Sequence, residues 1–359
     1  MRGVFFWLLV TILAAFSGPA TAVADETVVR VRIAQAPDVV LKGDLRYRGA
    51  AQGRGDTLNV TTRSGELRIN GRRASGTVEV TADKGSIEVN GTRYRGSMRL
   101  SATGGAVRVI NLVALDDYLA SVLGAEMSHT WPIEALKAQA VVSRSFVAAR
   151  SHRDRAREYD VDATVLSQVY VGIRGEHITT RLAVSDTAGM VLSHGGRVIE
   201  AFFHSSCGGH TEDPASLWGN SLPYIQPVED PYCQAAPNYF WSLPVEHREL
   251  GRQLGLPPVV EVKIHARAPG GRVLRAEFLS ENDSKTFTGE EVRQRLGYNK
   301  LRSTLFHVST RGTTFVFNGS GGGHGVGMCQ WGARGMAEKD KSFRDIVAHY
   351  FPRAELTRL

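Results

Sequence analysis

Along most of the stretch from Thr27 to Val113, apolar and polar positions alternate with a period of two. Val29, Val31 and Ile33 interleave with Arg30 and Arg32, the pattern of a strand with one buried face and one wet face. An internal repeat sharpens this. Leu67-Arg68-Ile69-Asn70-Gly71, followed by Gly76-Thr77-Val78-Glu79-Val80, returns 20 residues later as Ile87-Glu88-Val89-Asn90-Gly91, followed by Gly96-Ser97-Met98-Arg99-Leu100. Asn-Gly between alternating segments marks a two-residue hairpin turn, because both turn positions need a positive φ. Two hairpins of one design predict a β-meander or small barrel-like lobe over residues 25–105, made basic by Arg63, Arg68, Arg72, Arg73, Arg93, Arg95 and Arg99. A solvated charged face accounts for most of those arginines.

The period then changes. Leu115 to Val122 reads as a short amphipathic helix and Ile133 to Arg150 as a longer one. Pro132 suits the first helical position and Glu134 the first turn. The longer helix is apolar nearly all round, which predicts a central, buried element. Lys137 and Arg144 fall on one face of it, and buried cations need anionic partners or a wet cleft. Glu126 is the nearest candidate partner in sequence; on the residues alone, a solvated edge for the two cations is the simpler account. Further on, Val198–Phe203 reads as a strand after a Gly195-Gly196 turn. Phe315–Met328 reads as a strand entering a glycine-dense loop, with helices from Gln330 to about Lys339 and from Phe343 to Tyr350. The fold class expected is α+β, a mixed α/β part over 106–359 preceded by the β-rich lobe.

Length and composition fit this. The chain has 359 residues, 42% hydrophobic and 22% charged, enough for two modules with buried cores. Its formal charge of +7 favours anionic partners without implying nucleic acid. Arg2, the apolar run Val4–Phe16 and the small residues Ala20-Thr21-Ala22-Val23-Ala24 read as a signal peptide over 1–24, too short for a comfortable membrane span. The mature protein is therefore expected in the periplasm, cell wall or medium, with no stable membrane span and no nucleic-acid partner, in a compartment where disulfides are allowed.

The candidate chemistry lies in three places. His204-Ser205-Ser206-Cys207-Gly208-Gly209-His210 ends a strand, and Cys233 follows. Cys207 and Cys233 are expected to form a disulfide; the alternatives are a zinc site of His204, Cys207, His210 and Cys233, or a Cys/His nucleophile pair that lacks any thiolate-stabilising neighbour. The glycine loop Gly319–Gly327 either cradles an anion at a helix N-terminus or lets the backbone pass close to another segment, and His324 within it either faces a substrate or is fixed to backbone. No frame of this loop satisfies the dinucleotide pattern G-x-G-x-x-G, which excludes a Rossmann reading. The third place is Glu126 with Lys137 and Arg144.

Four segments in order carry a resemblance. They are Tyr118–Val147 with Glu126-Met127, Trp131-Pro132, Lys137 and Arg144; Phe203-His204-Ser205 with Gly208-Gly209-His210-Thr211; Gly289–Phe306 with Arg293, Leu296-Gly297 and Leu301-Arg302-Ser303; and the loop Gly319–Ala333. Together these resemble the stage II sporulation protein D / LytB (amidase enhancer) family over roughly Ala106 to the C-terminus. Cys329 and Trp331 stand where the family usually has Ser and Tyr. The resemblance implies an exported protein acting on peptidoglycan glycan strands, by lytic transglycosylation or as a non-enzymatic enhancer of a cell-wall amidase. It assigns the catalytic acid/base to Glu126, and activity or substrate contact to Lys137, Arg144, His204, Ser205, His210, His324 and Gln330 in a substrate cleft. It implies no cofactor; zinc enters only through the alternative site above.

Overall fold

A computed structural model describes residues 27–153, 156–165 and 167–359; the expected signal peptide lies outside them. Ten successive strands build the N-terminal lobe: β1 (Val28–Ala36), β2 (Asp38–Gly49), β3 (Gly53–Arg63), β4 (Glu66–Ile69), β5 (Arg72–Ala74), β6 (Val78–Ala82), β7 (Ile87–Val89), β8 (Thr92–Tyr94), β9 (Ser97–Thr103) and β10 (Ala106–Ala114). Their main path runs β1-β10-β9-β6-β2-β3-β4-β5, with the β7–β8 hairpin attached to β2. β11 (Val161–Asp162) extends the sheet in parallel to β1. The division expected at residue 105 falls in the turn between β9 and β10, which pair as a hairpin.

Alternation decides the faces. Val29 and Val31 are buried, while Arg30 and Arg32 turn outward and bind Asp160 and Asp162 (2.6 Å each). Both repeated turns have the expected geometry, with φ of 49° and 80° at Asn70-Gly71 and 46° and 85° at Asn90-Gly91. The repeat goes further than the turn. Asn70 Oδ1 accepts from the Asn59 N–H and the Asn70 N–H donates back to the Asn59 carbonyl. Asn90 and Val40 exchange the same two bonds. Each asparagine thereby fastens its hairpin to the next strand.

Three helices follow: α1 (Leu115–Glu126), α2 (Ile133–Arg153) and α3 (Ile178–Asp186). From Leu136 to Ala148 every residue of α2 except Lys137 is buried. Its alanines and serines let neighbours approach closely. Around it lie α1, α3, β12 (Met190–His194) and, from the far end of the chain, α7 (Gln330–Ala337) and α8 (Phe343–Tyr350). The strand expected over 198–203 is split: β13 (Arg197–Val198) pairs with β12, and β14 (Phe203–His204) pairs in parallel with β21 (Met328–Cys329). β22 (Glu355–Arg358) completes the β12 sheet.

Between α4 (Pro214–Trp218) and β21 stands a second lobe that the sequence pattern did not separate. It holds β15 (Phe240–Glu246), α5 (His247–Leu254), β16 (Val259–Arg267), β17 (Val273–Ser280), β18 (Ser284–Thr288), α6 (Gly289–Leu296), β19 (Phe306–Arg311) and β20 (Thr314–Ser320), arranged as two three-stranded sheets with two helices. Its core, with Leu250, Phe278, Phe287, Val292, Phe306 and Phe317, is distinct from the core that the N-terminal sheet shares with α1–α3, α7 and α8. The architecture is α+β. Among the described residues no helix is long and apolar enough to cross a membrane.

Asn90→Ala should lower stability by about 1–2 kcal/mol in chemical denaturation, because alanine resists a positive φ and the bond to Val40 is lost. Asn90→Gly should recover the backbone part. Equal losses for the two variants would refute the conformational account.

Candidate functional site

A cavity of about 580 Å³ opens between the two lobes. The first lobe contributes Glu126, Phe146, Arg150, Phe202, Phe203, His204, Ser205 and Trp218; the second contributes Glu290, Arg293, Tyr298, Asn299 and Arg302; Gly322, Gly323, His324 and Gln330 close one side.

Glu126 is the last residue of α1, so the end of that helix sets where its carboxyl stands. Oε1 accepts from the Val169 N–H at 2.7 Å. Burial raises its pKa, against the Val169 N–H and the Gln330 side chain, which favour the ionised form. Gln330 opens α7, where the Cys329 sulfur accepts from the Gly332 N–H as N-cap. An aromatic wall faces the space: Phe202 packs on Trp218 (centroids 4.9 Å apart), and Trp218 on His324 (5.4 Å). Trp218 is 40% exposed, a flat apolar surface of the kind sugar rings cover.

The two histidines have opposite tautomers. His204 Nδ1 lies 3.1 Å from the Val326 carbonyl, so it carries the proton and leaves Nε2 an acceptor, which has no partner among the described residues. His324 Nδ1 accepts from the Val326 N–H at 3.0 Å, so its proton sits on Nε2. Burial, with Arg272 and Arg293 nearby, pushes His324 down to about 3; burial, His324 and Arg272 push His204 well below the usual range. Both rings are neutral near pH 7.

Among the cations on the wall, Arg150 is paired with Glu200 at 2.6 Å. Arg293 binds the carbonyls of Leu301 (3.1 Å) and Arg302 (2.9 Å) and pairs with Glu290 (3.3 Å). The Arg302 guanidinium has no ion-pair partner among the described residues.

Two family descriptions match the chain: "Stage II sporulation protein" over residues 103–194 and "Domain of unknown function" over 242–327. Stage II sporulation protein D of Bacillus amyloliquefaciens is 34% identical over 265 residues, covering 68% of this chain and 74% of the relative. The chain belongs to the stage II sporulation protein D family. An uncharacterized protein of Brachyspira hyodysenteriae is 31% identical, covering 68% of the chain and 66% of the relative. The amidase enhancer of Bacillus subtilis strain 168 is 26% identical, over 67% of the chain and 40% of the relative.

Against the expectations from the family's motifs, the structure gathers Glu126, His204, Ser205, His324 and Gln330 around one cavity and sends three others elsewhere. Arg144 is fully buried and donates to the carbonyls of Val184 (3.1 Å), Thr187 (2.8 Å) and Met190 (3.2 Å), so it closes the C-terminal end of α3 and does not line the cavity. Lys137 pairs with Glu134 and with Asp186 at that same helix end, 3.0 Å each, where a cation suits the dipole. His210 does not line the cavity: its backbone forms a β-bridge with Glu229, and its Nδ1 is buried without a hydrogen-bond partner among the described residues.

The expected Cys207–Cys233 disulfide is not formed: the sulfurs are free and 3.4 Å apart. The alternative set of His204, Cys207, His210 and Cys233 does not assemble either: the ligand atoms that gather around Cys207 and Cys233 come from Asp230 and Cys329, while His204 Nδ1 is held on the Val326 carbonyl. The glycine loop serves close approach. At Gly325 (φ 87°) a side chain would meet the Arg272 guanidinium at 2.3 Å, and at Gly327 (φ 72°) the Phe202 carbonyl at 2.1 Å. His324 is fixed to backbone and also lines the cavity. Trp218 and Arg302 were not singled out as site residues from sequence; for Arg302 the only signal was its place in the segment Leu301-Arg302-Ser303.

A raised carboxyl pKa means that the folded state holds the proton more tightly than the unfolded chain. The associated stability is present below the ordinary glutamate value of 4.5 and is lost as pH rises through the folded value. Glu126→Gln should therefore match the wild type in acid and exceed it in Tm at pH 7. A Tm difference that does not change with pH would contradict the burial of this carboxyl.

Proposed function

We propose that the peptidoglycan-related cell-wall role of this family takes, in this chain, the form of lytic transglycosylation of glycan strands, with Glu126 as the single acid/base. The observation that carries this is a carboxyl with a raised pKa at the head of an aromatic-walled cavity. The other carboxylate on that wall, Glu290, is exposed and paired with Arg293. Glycosidases that use water require two carboxylates in complementary roles. A transglycosylase manages with one. Glu126 in its protonated form gives its proton to the glycosidic oxygen as the bond to C1 breaks, and the departing sugar leaves as an alcohol. The carboxylate then takes the proton of the muramic C6 hydroxyl as that oxygen bonds to C1, closing a 1,6-anhydro ring and restoring the acid. Burial favours the protonated starting form, and Lys137 and Arg144 are engaged at α3, so their charges do not oppose it.

Arg302, and not Lys137 or Arg144, lines the cavity and is placed for substrate contact. An uncompensated guanidinium in the cavity suits the lactyl carboxylate of muramic acid, and Trp218 supplies a face for the ring. The likeness to an amidase enhancer favours a second reading, in which the chain binds glycan and assists a cell-wall amidase without cleaving.

Purified glycan strands freed of stem peptides, incubated with the protein alone, should yield 1,6-anhydro ends by mass spectrometry. Glu126→Gln should lower the rate about a hundredfold or more while still binding glycan. Absence of anhydro product from the wild type, with glycan binding intact, would favour the enhancer reading; full activity in Glu126→Gln would overturn the assignment. Arg302→Ala should raise KM about tenfold with kcat little changed, the scale of one charge-assisted hydrogen bond. An unchanged KM would remove Arg302 from substrate recognition.

A further inference from the structure

Behind the cleft wall, three distant parts of the chain bring their cysteines together. Cys207 lies just after β14, Cys233 lies in the turn Asp230-Pro231-Tyr232-Cys233, and Cys329 caps α7. With Asp230 they present four ligand atoms, all within 4.8 Å of one another, and all four residues are buried. Cys207 Sγ stands 3.4 Å from Cys233 Sγ and 3.1 Å from Asp230 Oδ2. Four ligands around a zinc ion with Zn–S of about 2.3 Å would have sulfur–sulfur edges of roughly 3.8 Å, close to what is already in place. Asp230 and Cys233 are separated by two residues, the spacing that lets one turn offer two ligands.

The surroundings also fit. The Gly209 N–H donates to Cys207 Sγ, and the N–H groups of Gly332 and Cys207 donate to Cys329 Sγ, each at 3.3 Å. Tyr350 donates its hydroxyl to Asp230 Oδ2 at 3.0 Å, and the Tyr232 N–H donates to Oδ1 at 2.9 Å. Donors aimed at sulfur and carboxylate are what orient the ligands of a metal centre. Gly332 leaves room for this: a Cβ there would lie 2.2 Å from Asp230 Oδ2 and 1.9 Å from the Tyr350 oxygen.

We propose that Cys207, Asp230, Cys233 and Cys329 bind one zinc ion as a structural site. Three sulfurs and one carboxylate oxygen suit a borderline-soft tetrahedral ion, and four protein ligands leave no open position for catalysis. A cation would compensate the buried carboxylate and the thiolates that form as it displaces the thiol protons. The ion clamps the segments that carry Ser205 and Gln330 on the cavity wall, joining β14 and its turn to the start of α7. A Cys207–Cys233 disulfide is the competing state; it would leave the Cys329 sulfur and the Asp230 carboxylate, gathered at the same point, unbridged.

The test uses the full chain purified without added metal. Elemental analysis should find about one zinc per chain. All three thiols should resist a thiol reagent until a chelator is added, and removing the metal should lower Tm. Replacement by cobalt(II) should give a sulfur-to-cobalt charge-transfer band, weakened by about a third in Cys329→Ser, and Asp230→Asn should lower metal retention. Metal-free protein in which one thiol titrates under denaturing, non-reducing conditions would establish the disulfide and overturn the proposal. Metal-free protein with three titrating thiols would overturn it as well, and neither result depends on a variant folding.

Discussion

The enclosure of α2 on every side constrains the rest of the molecule. A helix buried from Leu136 to Ala148 with the exception of Lys137 must offer small or apolar side chains in all directions, and every polar atom on it must find a partner. Arg144 meets most of that demand by binding three carbonyls at the end of α3, and Ser145 Oγ by bonding the Val141 carbonyl and the Leu192 N–H, while Gln139 Oε1 and Arg144 Nε are left without a hydrogen-bond partner among the described residues. Because α1, α3, α7 and α8 all rest on this one rod, the end of α1, with Glu126, and the start of α7, with Gln330, are held in fixed relation to each other.

The cavity combines two kinds of group kept apart by environment. Around Glu126, with its raised pKa, stand His204 and, from the glycine loop, His324, both uncharged at neutral pH, while the Arg150 guanidinium beside them is paired with Glu200. The guanidiniums of Arg293 and Arg302 come from the second lobe. The causes that shift Glu126 include no cation, whereas His324 on the same cavity is pushed down in part by Arg272 and Arg293.

Much of this was legible in the chain. The Asn-Gly hairpins follow from two dihedral angles that few residues accept, and the burial of α2 follows from a helix without a polar face. The helix that leads to Glu126 was readable, although it was expected to stop at Val122 and runs four residues further, to Glu126 itself. What stayed hidden depends on distant partners. Spacing puts Lys137 and Arg144 on one face of a helix but does not say what that face meets, which is the end of α3 and not the cleft. Counting cysteines in pairs suggested a disulfide, and searching near Cys207 for ligands returned two histidines. Asp230, three residues before Cys233, gave no signal by itself, because an aspartate before a proline is ordinary turn chemistry. The second lobe escaped because its strands pair with partners up to 80 positions away, as Phe240 does with Ser320, and bury residues such as Val245 opposite Phe315.

The two cores have a consequence for how such a protein changes over time. Phe278, Phe306 and Phe317 pack among themselves and not against α2. Substitutions that reshape the loop bearing Tyr298, Asn299 and Arg302 therefore leave the scaffold under Glu126 undisturbed. Selection is free to reshape that side of the cavity without repacking the core under Glu126, and the separate match of residues 242–327 as a family unit is the kind of record such modular inheritance leaves.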